Sequence, residues 1–396
     1  MLAPVVPAEP KELSPEWMTA ALRSCAPAHP RVVGLEWEPA SAGLGFAGQV
    51  VRVRLEYDSQ PADAPETVIA KFAAPLQSAR ELLNDFGGYQ REVKFYAEMS
   101  DRAGLPAPRC YYGGYDELSG TFVLLLEDMA AARLGDQVPG ATLAEAEFIV
   151  TQLARFHARW WNDASLLQQS WLWPSEAAIR RLPELFEQGI GPLRETMQDR
   201  FSDVLKLVER MTALVPSLAA TFGEQFPPKP FTLVHGDMRL DNLFFPSESD
   251  GRFAVVDWQG VAVGSPGNEL AYFLVLSLPV GVRREHEAPL LARYHSELAE
   301  NGVTGYPLRQ LRREYSRGIL VQLLGLPVLS GTLDFGSERG QALASAALER
   351  ISAAAVDLKA ARTISVLTWI TRLQDLAMAL RRRTGFFRRS KGSPLR

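Results

Sequence analysis

The chain has 396 residues, 47% hydrophobic and 22% charged, an ordinary globular balance too long for one core of usual size and suited to two lobes. Its net charge of −4 excludes a global field that gathers nucleic acid or an anionic membrane, so any phosphate site must be local. Cys25 and Cys110 are too few for a disulfide scaffold or a cysteine-built zinc site, which fits a reducing, cytoplasmic setting.

The opening MLAPVVPAEPKELSPEW lacks a basic segment followed by a long apolar one, so an export signal is not expected. Ser14 and Pro15 then form an N-cap and first-turn pair for a short helix over 14–24. Residues 31–57 bring β-formers up to and away from a glycine cluster, and VVRVRLEY alternates with period two, so a hairpin with the glycines at its tip is expected. ETVIAKF reads as the next strand, with Lys71 near its end. Residues 76–100 are helical in pattern and broken at Gly87-Gly88, and YQREVKFYAEM has Val93, Tyr96 and Met99 in helical spacing. After the proline-bearing link LPAPRC, YYGGYDE leads to TFVLLLEDM, an apolar run of buried-strand length.

From there the pattern turns helical. TLAEAEFIVTQLARFHARWWND predicts an amphipathic helix over 142–163 capped by Thr142, and most of 175–226 and 283–384 follows suit. Only FTLVHGD and FAVVDWQ interrupt as strands. LAYFLVLSLPVGV at 270–282 is shorter than the ~18 residues of a membrane span and contains a proline, so it reads as a buried helix. The end, RRRTGFFRRSKGSPLR, carries seven basic residues and reads as a solvated tail over 381–396. The expected division is 1–127 as a β-rich lobe, 128–380 as a helical lobe, and the tail.

Chemistry concentrates at a few places. Gly43, Gly45 and Gly48 spell G-x-G-x-x-G, but a strand follows where a dinucleotide fingerprint needs a helix. That leaves a phosphate-covering flap, or a plain glycine-rich hairpin turn. Lys71 on the next strand can reach phosphates beneath such a flap if Glu92 in the following helix aims it, with Glu81 and Glu98 as fallback partners. In LVHGDMRLDNLFF, Asp237 and Asn242 stand five positions apart, and Asp257 ends FAVVD twenty positions after Asp237. These residues suit phosphoryl transfer: Asp237 would accept the proton of an attacking hydroxyl, and Asn242 and Asp257 would hold Mg²⁺, a hard cation that takes oxygen ligands. His235 is expected to hold the loop by a hydrogen bond.

HGDMRLDN followed by VVDWQ resembles the catalytic and metal-binding motifs of the aminoglycoside phosphotransferase and choline kinase superfamily, in particular its ecdysteroid-kinase-like (CHK-like) branch. The resemblance covers about residues 30 to 360. It implies an α+β, bilobal protein-kinase-like fold with a small β-rich N-terminal lobe and a large helical C-terminal lobe. It further implies ATP or GTP with Mg²⁺ as cofactors, Asp237 as catalytic base, Asn242 and Asp257 as metal ligands, Lys71 with Glu92 on the phosphates, and the glycines as flap. LLLEDM resembles the hinge, so the backbone near Glu127 and Met129 is expected to bind adenine. Two departures stand out: Met238-Arg239 follows HGD where Leu-His or Leu-Trp is more familiar, and Glu269 stands where many relatives have Asp.

A helical pattern returns within about a dozen residues of Asp257, too soon for the activation segment that positions a peptide, so a small-molecule hydroxyl is the expected partner. No nucleic acid and no stable membrane insertion are expected. Residues 283–362 carry nine Asp and Glu against eleven Lys and Arg, which argues against a polycationic acceptor and for a neutral or apolar alcohol. Trp160, Trp161, Trp171 and Trp173 are candidates for an apolar pocket, but tryptophans near a helix more often fill the core. A regulatory pseudokinase and an aminoglycoside- or macrolide-type phosphotransferase remain as alternatives.

Overall fold

The computed structural model describes residues 4–40, 48–59, 64–197, 200–217, 229–248, 250–332 and 336–369. Gly43, Gly45 and the expected basic tail lie outside these residues.

The N-terminal part is one antiparallel sheet in the order β1-β2-β3-β5-β4, built from β1 (Val32–Pro39), β2 (Gly48–Tyr57), β3 (Thr67–Ala73), β4 (Cys110–Tyr115) and β5 (Phe122–Glu127). Alternation decides its faces. Val51, Val53, Val68, Ala70, Phe72, Val123 and Leu125 pack on one side against α1 (Pro15–Cys25), whose N-cap Ser14 accepts the N–H of Trp17. Phe122, Leu124 and Leu126 point the other way, into the core shared with α3 (Gly88–Glu98). Between β3 and α3 runs α2 (Gln77–Asp85), and Gly87 at φ 72° makes the break between the two helices.

The larger part is helical and, among the described residues, holds three short pairings. Arg133–Leu134 (β6) pairs with Leu243–Phe245 (β8), which pairs with Ala254–Val255 (β9); Thr232–Val234 (β7) pairs with Ala262–Gly264 (β10). Around them stand α4 (Leu143–Arg159), α5 (Glu176–Met197), α6 (Ser202–Thr212), α7 (Pro266–Ser277), α8 (Val280–Glu300), α9 (Leu308–Thr332) and α10 (Glu338–Asp357). Among the described residues no helix is long and apolar enough to cross a membrane.

Two helix ends differ from expectation. Thr142 and Glu145 form a full capping box, but α4 stops at Arg159 rather than 163. Asn162 turns to φ 53° and pairs with the chain entering β7, donating its N–H to the Phe231 carbonyl and accepting the Phe231 N–H on its side chain. The predicted helix over 270–282 is two helices, parted at Leu278-Pro279. Proline pushes the residue before it out of the α region, and Leu278 sits at ψ 136°. The tryptophans serve the core: Trp160 and Trp171 are buried, with Trp160 Nε1 donating to the Ala103 carbonyl, and Trp161 and Trp173 pack on the same cluster.

Candidate active site

Lys71 is on β3, paired with Val50 and Leu124, and its side chain leaves the face opposite Ala70 and Phe72. Its Nζ lies 2.9 Å from both carboxylate oxygens of Glu92 on α3 and 3.0 Å from Asp257 Oδ1. Glu92 is wholly buried. Burial works against the Lys71 charge, but the two carboxylates outweigh it and hold the ammonium group above its ordinary range. For Asp257, burial raises the pKa and Lys71 lowers it; the balance leaves it below the usual carboxylate range. Glu92 is shifted up, because burial exceeds what Lys71 returns. The fallback partners are elsewhere: Glu81 accepts from Gln77, and Glu98 accepts from Trp171 Nε1.

Three further links clamp α3 to the turn at Asp257. Glu92 Oε1 accepts the Trp258 N–H at 3.3 Å, Phe95 stacks on Trp258 with centroids 3.8 Å apart, and Arg91 donates to the carbonyl of Gln259. Arg91 also donates to the carbonyls of Trp171 and Phe86 and is buried, which lowers its pKa to about 10. Asp257 itself adopts φ 65°, a left-handed conformation that costs an aspartate of order 1–3 kcal/mol and is a mark of functional turns.

Asp237 and Asn242 sit on the loop between β7 and β8. The main-chain N–H of Val256 donates to the Asn242 carbonyl at 3.0 Å, so the two loops end side by side. Gly236 has φ 83°, and a Cβ there would stand 2.2 Å from the Gly260 carbonyl oxygen; only glycine lets the loops approach this closely. His235 receives the Asp237 N–H on Nδ1 at 3.2 Å and reaches the Val256 carbonyl from Nε2 at 3.0 Å, so it carries its proton on Nε2 and ties both loops.

Every oxygen of the Asp237 carboxylate is engaged. Oδ2 accepts from Asn242 Nδ2 at 2.9 Å and Arg239 Nε at 3.2 Å, and Oδ1 accepts from the Tyr272 hydroxyl at 2.6 Å. Asn242 also donates to the Asp237 carbonyl, while its amide oxygen takes no hydrogen bond among the described residues. Arg239 bridges on to Asp241 at 3.3 Å, and Asp241 is held in turn by the Gln137 N–H and by Arg339. Gln137 braces the same loop, taking the Leu240 N–H and donating to the Leu276 carbonyl.

Glu269 accepts the Gly236 N–H at 2.7 Å and faces His157 Nε2 at 2.8 Å, with Tyr294 on the other ring nitrogen. It supports the backbone of the loop and does not reach Asp237. Burial raises the Glu269 pKa and the bonds from His157 and Gly236 more than offset this, leaving it below the ordinary value. Because the unfolded chain then takes up the proton more readily, this stabilisation is present above about pH 4.3 and is lost as pH falls through the lower folded value. Glu269→Gln is therefore expected to flatten the acid limb of a stability-versus-pH curve. An acid limb unchanged in the variant would refute the assignment.

At the hinge, the Glu127 N–H is spent on the Arg109 carbonyl at 2.8 Å and its carboxylate on Arg252 at 2.5 Å. Glu127 is therefore not a free donor, whereas the Met129 N–H has no partner among the described residues. Of the glycines, Gly48 opens β2, and a Cβ on it would stand 2.6 Å from the Phe72 carbonyl and 3.4 Å from Lys71 Cε.

A resident Mg²⁺ fits this donor set in kind. Among the described residues no cluster of three or more His, Cys, Asp or Glu converges as a closed metal cage. What the two adjoining loops offer is one carboxylate, Asp257, and one amide, Asn242, a set that would suit a cation that keeps waters. Tyr272, Arg91, Gln137 and His157 were not legible as site residues. Tyr272 lay inside an apolar run, and the other three act largely through partners far along the chain, as Arg91 does on the carbonyls of Trp171 and Gln259.

Residues 42–303 match the model of the ecdysteroid kinase-like family. Among solved structures, a putative aminoglycoside phosphotransferase from Ralstonia eutropha aligns over 87% of this chain and 98% of its own, at 18% identity and a TM-score of 0.53. An ethanolamine kinase of Plasmodium vivax aligns over 84% and 87%, at 10% identity and a TM-score of 0.51. Both show the shared bilobal kinase-like fold. Among curated proteins, 54 residues are 46% identical to acyl-CoA dehydrogenase family member 10 of Mus musculus, covering 12% of this chain and 5% of that protein. A further 96-residue match, 29% identical, to a probable acyl-CoA dehydrogenase of Arabidopsis thaliana covers 24% and 11%. The chain thus spans only a small part of either curated relative. With the family model matched over well more than half of the chain and the fold in agreement, the chain belongs to the ecdysteroid kinase-like family.

Proposed function

We propose that the protein is a small-molecule kinase that transfers the γ-phosphate of ATP, or GTP, to the hydroxyl of a small neutral or apolar alcohol. The observation that carries it is the buried Lys71–Glu92–Asp257 cluster set beside the loop of Asp237 and Asn242. Lys71, aimed by Glu92, would hold the nucleotide phosphates, with Gly48 and the glycines before it as flap and the Met129 N–H toward adenine. Asn242 and Asp257 would hold Mg²⁺, which supplies charge neutralisation on the phosphates. Asp237 would take the proton of the acceptor hydroxyl.

The acceptor would meet the helical lobe, by segments 155–200 and 270–345. Gln322 on α9 supports this: it is buried, yet both ends of its amide lack partners among the described residues. Such unspent capacity suits a polar group of a bound ligand. The near balance of charge over 283–362 favours a neutral acceptor over an aminoglycoside. The two free thiols accord with a cytoplasmic location.

The test is a thermal-shift titration with ATP and GTP, with and without Mg²⁺, followed by a screen of nucleotide consumption against hydroxylated metabolites and antibiotics. Nucleotide at ~100 times its Kd is expected to stabilise the protein by about 2.7 kcal/mol. No shift with either nucleotide refutes the reading.

A further inference from the structure

Tyr272 belongs to no phosphate, metal or hinge element, yet its hydroxyl makes the shortest hydrogen bond to Asp237, 2.6 Å to Oδ1. The two oxygens of Asp237 are held differently. Oδ2 accepts from both Asn242 and Arg239, side chains of its own loop, so its two acceptor positions are filled. Among the described residues Oδ1 has one donor, the Tyr272 hydroxyl delivered from α7, which takes one of its two acceptor positions. A general base must place one oxygen within ~2.6–3.2 Å of the hydroxyl it serves, so the oxygen under Tyr272 is the one that can serve. The Asp237 side chain is 29% exposed and Tyr272 is half-buried, so solvent reaches this edge.

We propose that Tyr272 is a specificity-determining residue of the acceptor site, its hydroxyl competing with water for Asp237 Oδ1 and giving way to the acceptor's hydroxyl. This rests on the small-molecule kinase reading. When water attacks, its oxygen bonds to the γ-phosphorus as the bond to the bridging oxygen of ADP breaks, and its proton passes to Asp237, giving ADP and inorganic phosphate. An alcohol makes the same exchange and gives a phosphate ester and ADP. An alcohol has further groups that bind the helical lobe and compensate for displacing the phenol, whereas water has none. Discrimination against water follows without any contact that reads water itself.

The experiment uses the full-length Tyr272→Phe protein with ATP and Mg²⁺ and no added alcohol. ADP release is expected to rise by about tenfold or more, the population shift that one charge-assisted hydrogen bond of ordinary strength controls. The rise is expected to vanish in Tyr272→Phe/Asp237→Asn. A second readout needs no nucleotide: modification of Asp237 by a water-soluble carbodiimide, followed by peptide mass spectrometry, should increase several-fold in Tyr272→Phe. Tyr272→Leu is expected to behave alike and serves if the Phe variant folds poorly. Flat ADP release in variants that keep the ATP-induced thermal shift overturns the Tyr272 assignment alone, as does phosphate found on Tyr272, which would make it the acceptor. A wild type that ATP does not stabilise overturns the kinase reading and this role with it, whatever the labelling shows.

Discussion

Lys71→Met is expected to destabilise the protein by about 3–5 kcal/mol and to abolish nucleotide-induced stabilisation. The magnitude follows from what the substitution leaves behind. Lys71 Nζ is the cation that both Glu92 oxygens and Asp257 Oδ1 contact, and the Glu92 side chain has no solvent exposure. Removing the ammonium group strands a buried carboxylate beside a second one, with the Trp258 N–H and Gln259 left to stabilise it among the described residues. The sign with pH is fixed as well. Burial already pushes the Glu92 pKa up, and losing Lys71 pushes it further, so the folded variant takes up a proton more readily than its unfolded chain. The deficit should therefore shrink as pH falls below the raised folded value and be full above it. Lys71→Met/Glu92→Gln should recover much of the loss, because removing both partners avoids the stranded charge. Denaturation midpoints of the two variants across pH decide the matter. A single variant that loses under ~1 kcal/mol, with no recovery in the double, would show that the three groups are not coupled as the distances imply.

Asp237→Asn is expected to reduce turnover by roughly 10²- to 10⁴-fold while leaving the ATP-induced thermal shift in place. The variant is nearly neutral structurally. An amide oxygen can keep the two N–H donors at the Oδ2 position, and the amide nitrogen can donate to the Tyr272 hydroxyl, which turns to accept it. What is lost is the capacity to take a proton. Asp257→Ala should do the reverse, removing the Mg²⁺-dependent part of the nucleotide shift, since it deletes one of two oxygen donors and a partner of Lys71. Turnover is measured with the first alcohol that the consumption screen identifies, and binding by thermal shift with and without Mg²⁺. Near-wild-type kcat in Asp237→Asn would remove Asp237 as the base. An unchanged Mg²⁺ dependence in Asp257→Ala would remove Asp257 as a ligand.

Much of this molecule is written locally. Ser14 capping α1, the Thr142–Glu145 box, the alternation of Val51, Val53 and Leu55 and the run that becomes β5 are each decided by residues a few positions apart. Hydrogen bonds and side-chain periods within one turn or one strand set them, so they are legible without a fold. The motif loop was legible for the same reason: HGDMRLDN and VVDWQ carry their chemistry in short spacing. The parting of α7 and α8 at Leu278-Pro279 is also local, since Pro279 holds Leu278 extended and ends the helix inside the apolar run. The end of α4 was not, since Asn162 leaves the helix to pair with Phe231, 69 positions on.

The sequence by itself determined the sheet, the helical remainder, the family motif and the identity of the charged residues around it. Only the tertiary structure decided which of them meet, and through which partners. Tyr272 reaches Asp237 across 35 positions, Glu269 faces His157 across 112, and Arg91 holds the Gln259 carbonyl across 168. Each is a polar group inside a mostly apolar stretch or helix face, and its sequence neighbours say only that it will be buried. The partner that makes its burial tolerable is chosen by packing, because a desolvated polar group is stable only beside the complement that the whole fold delivers to it.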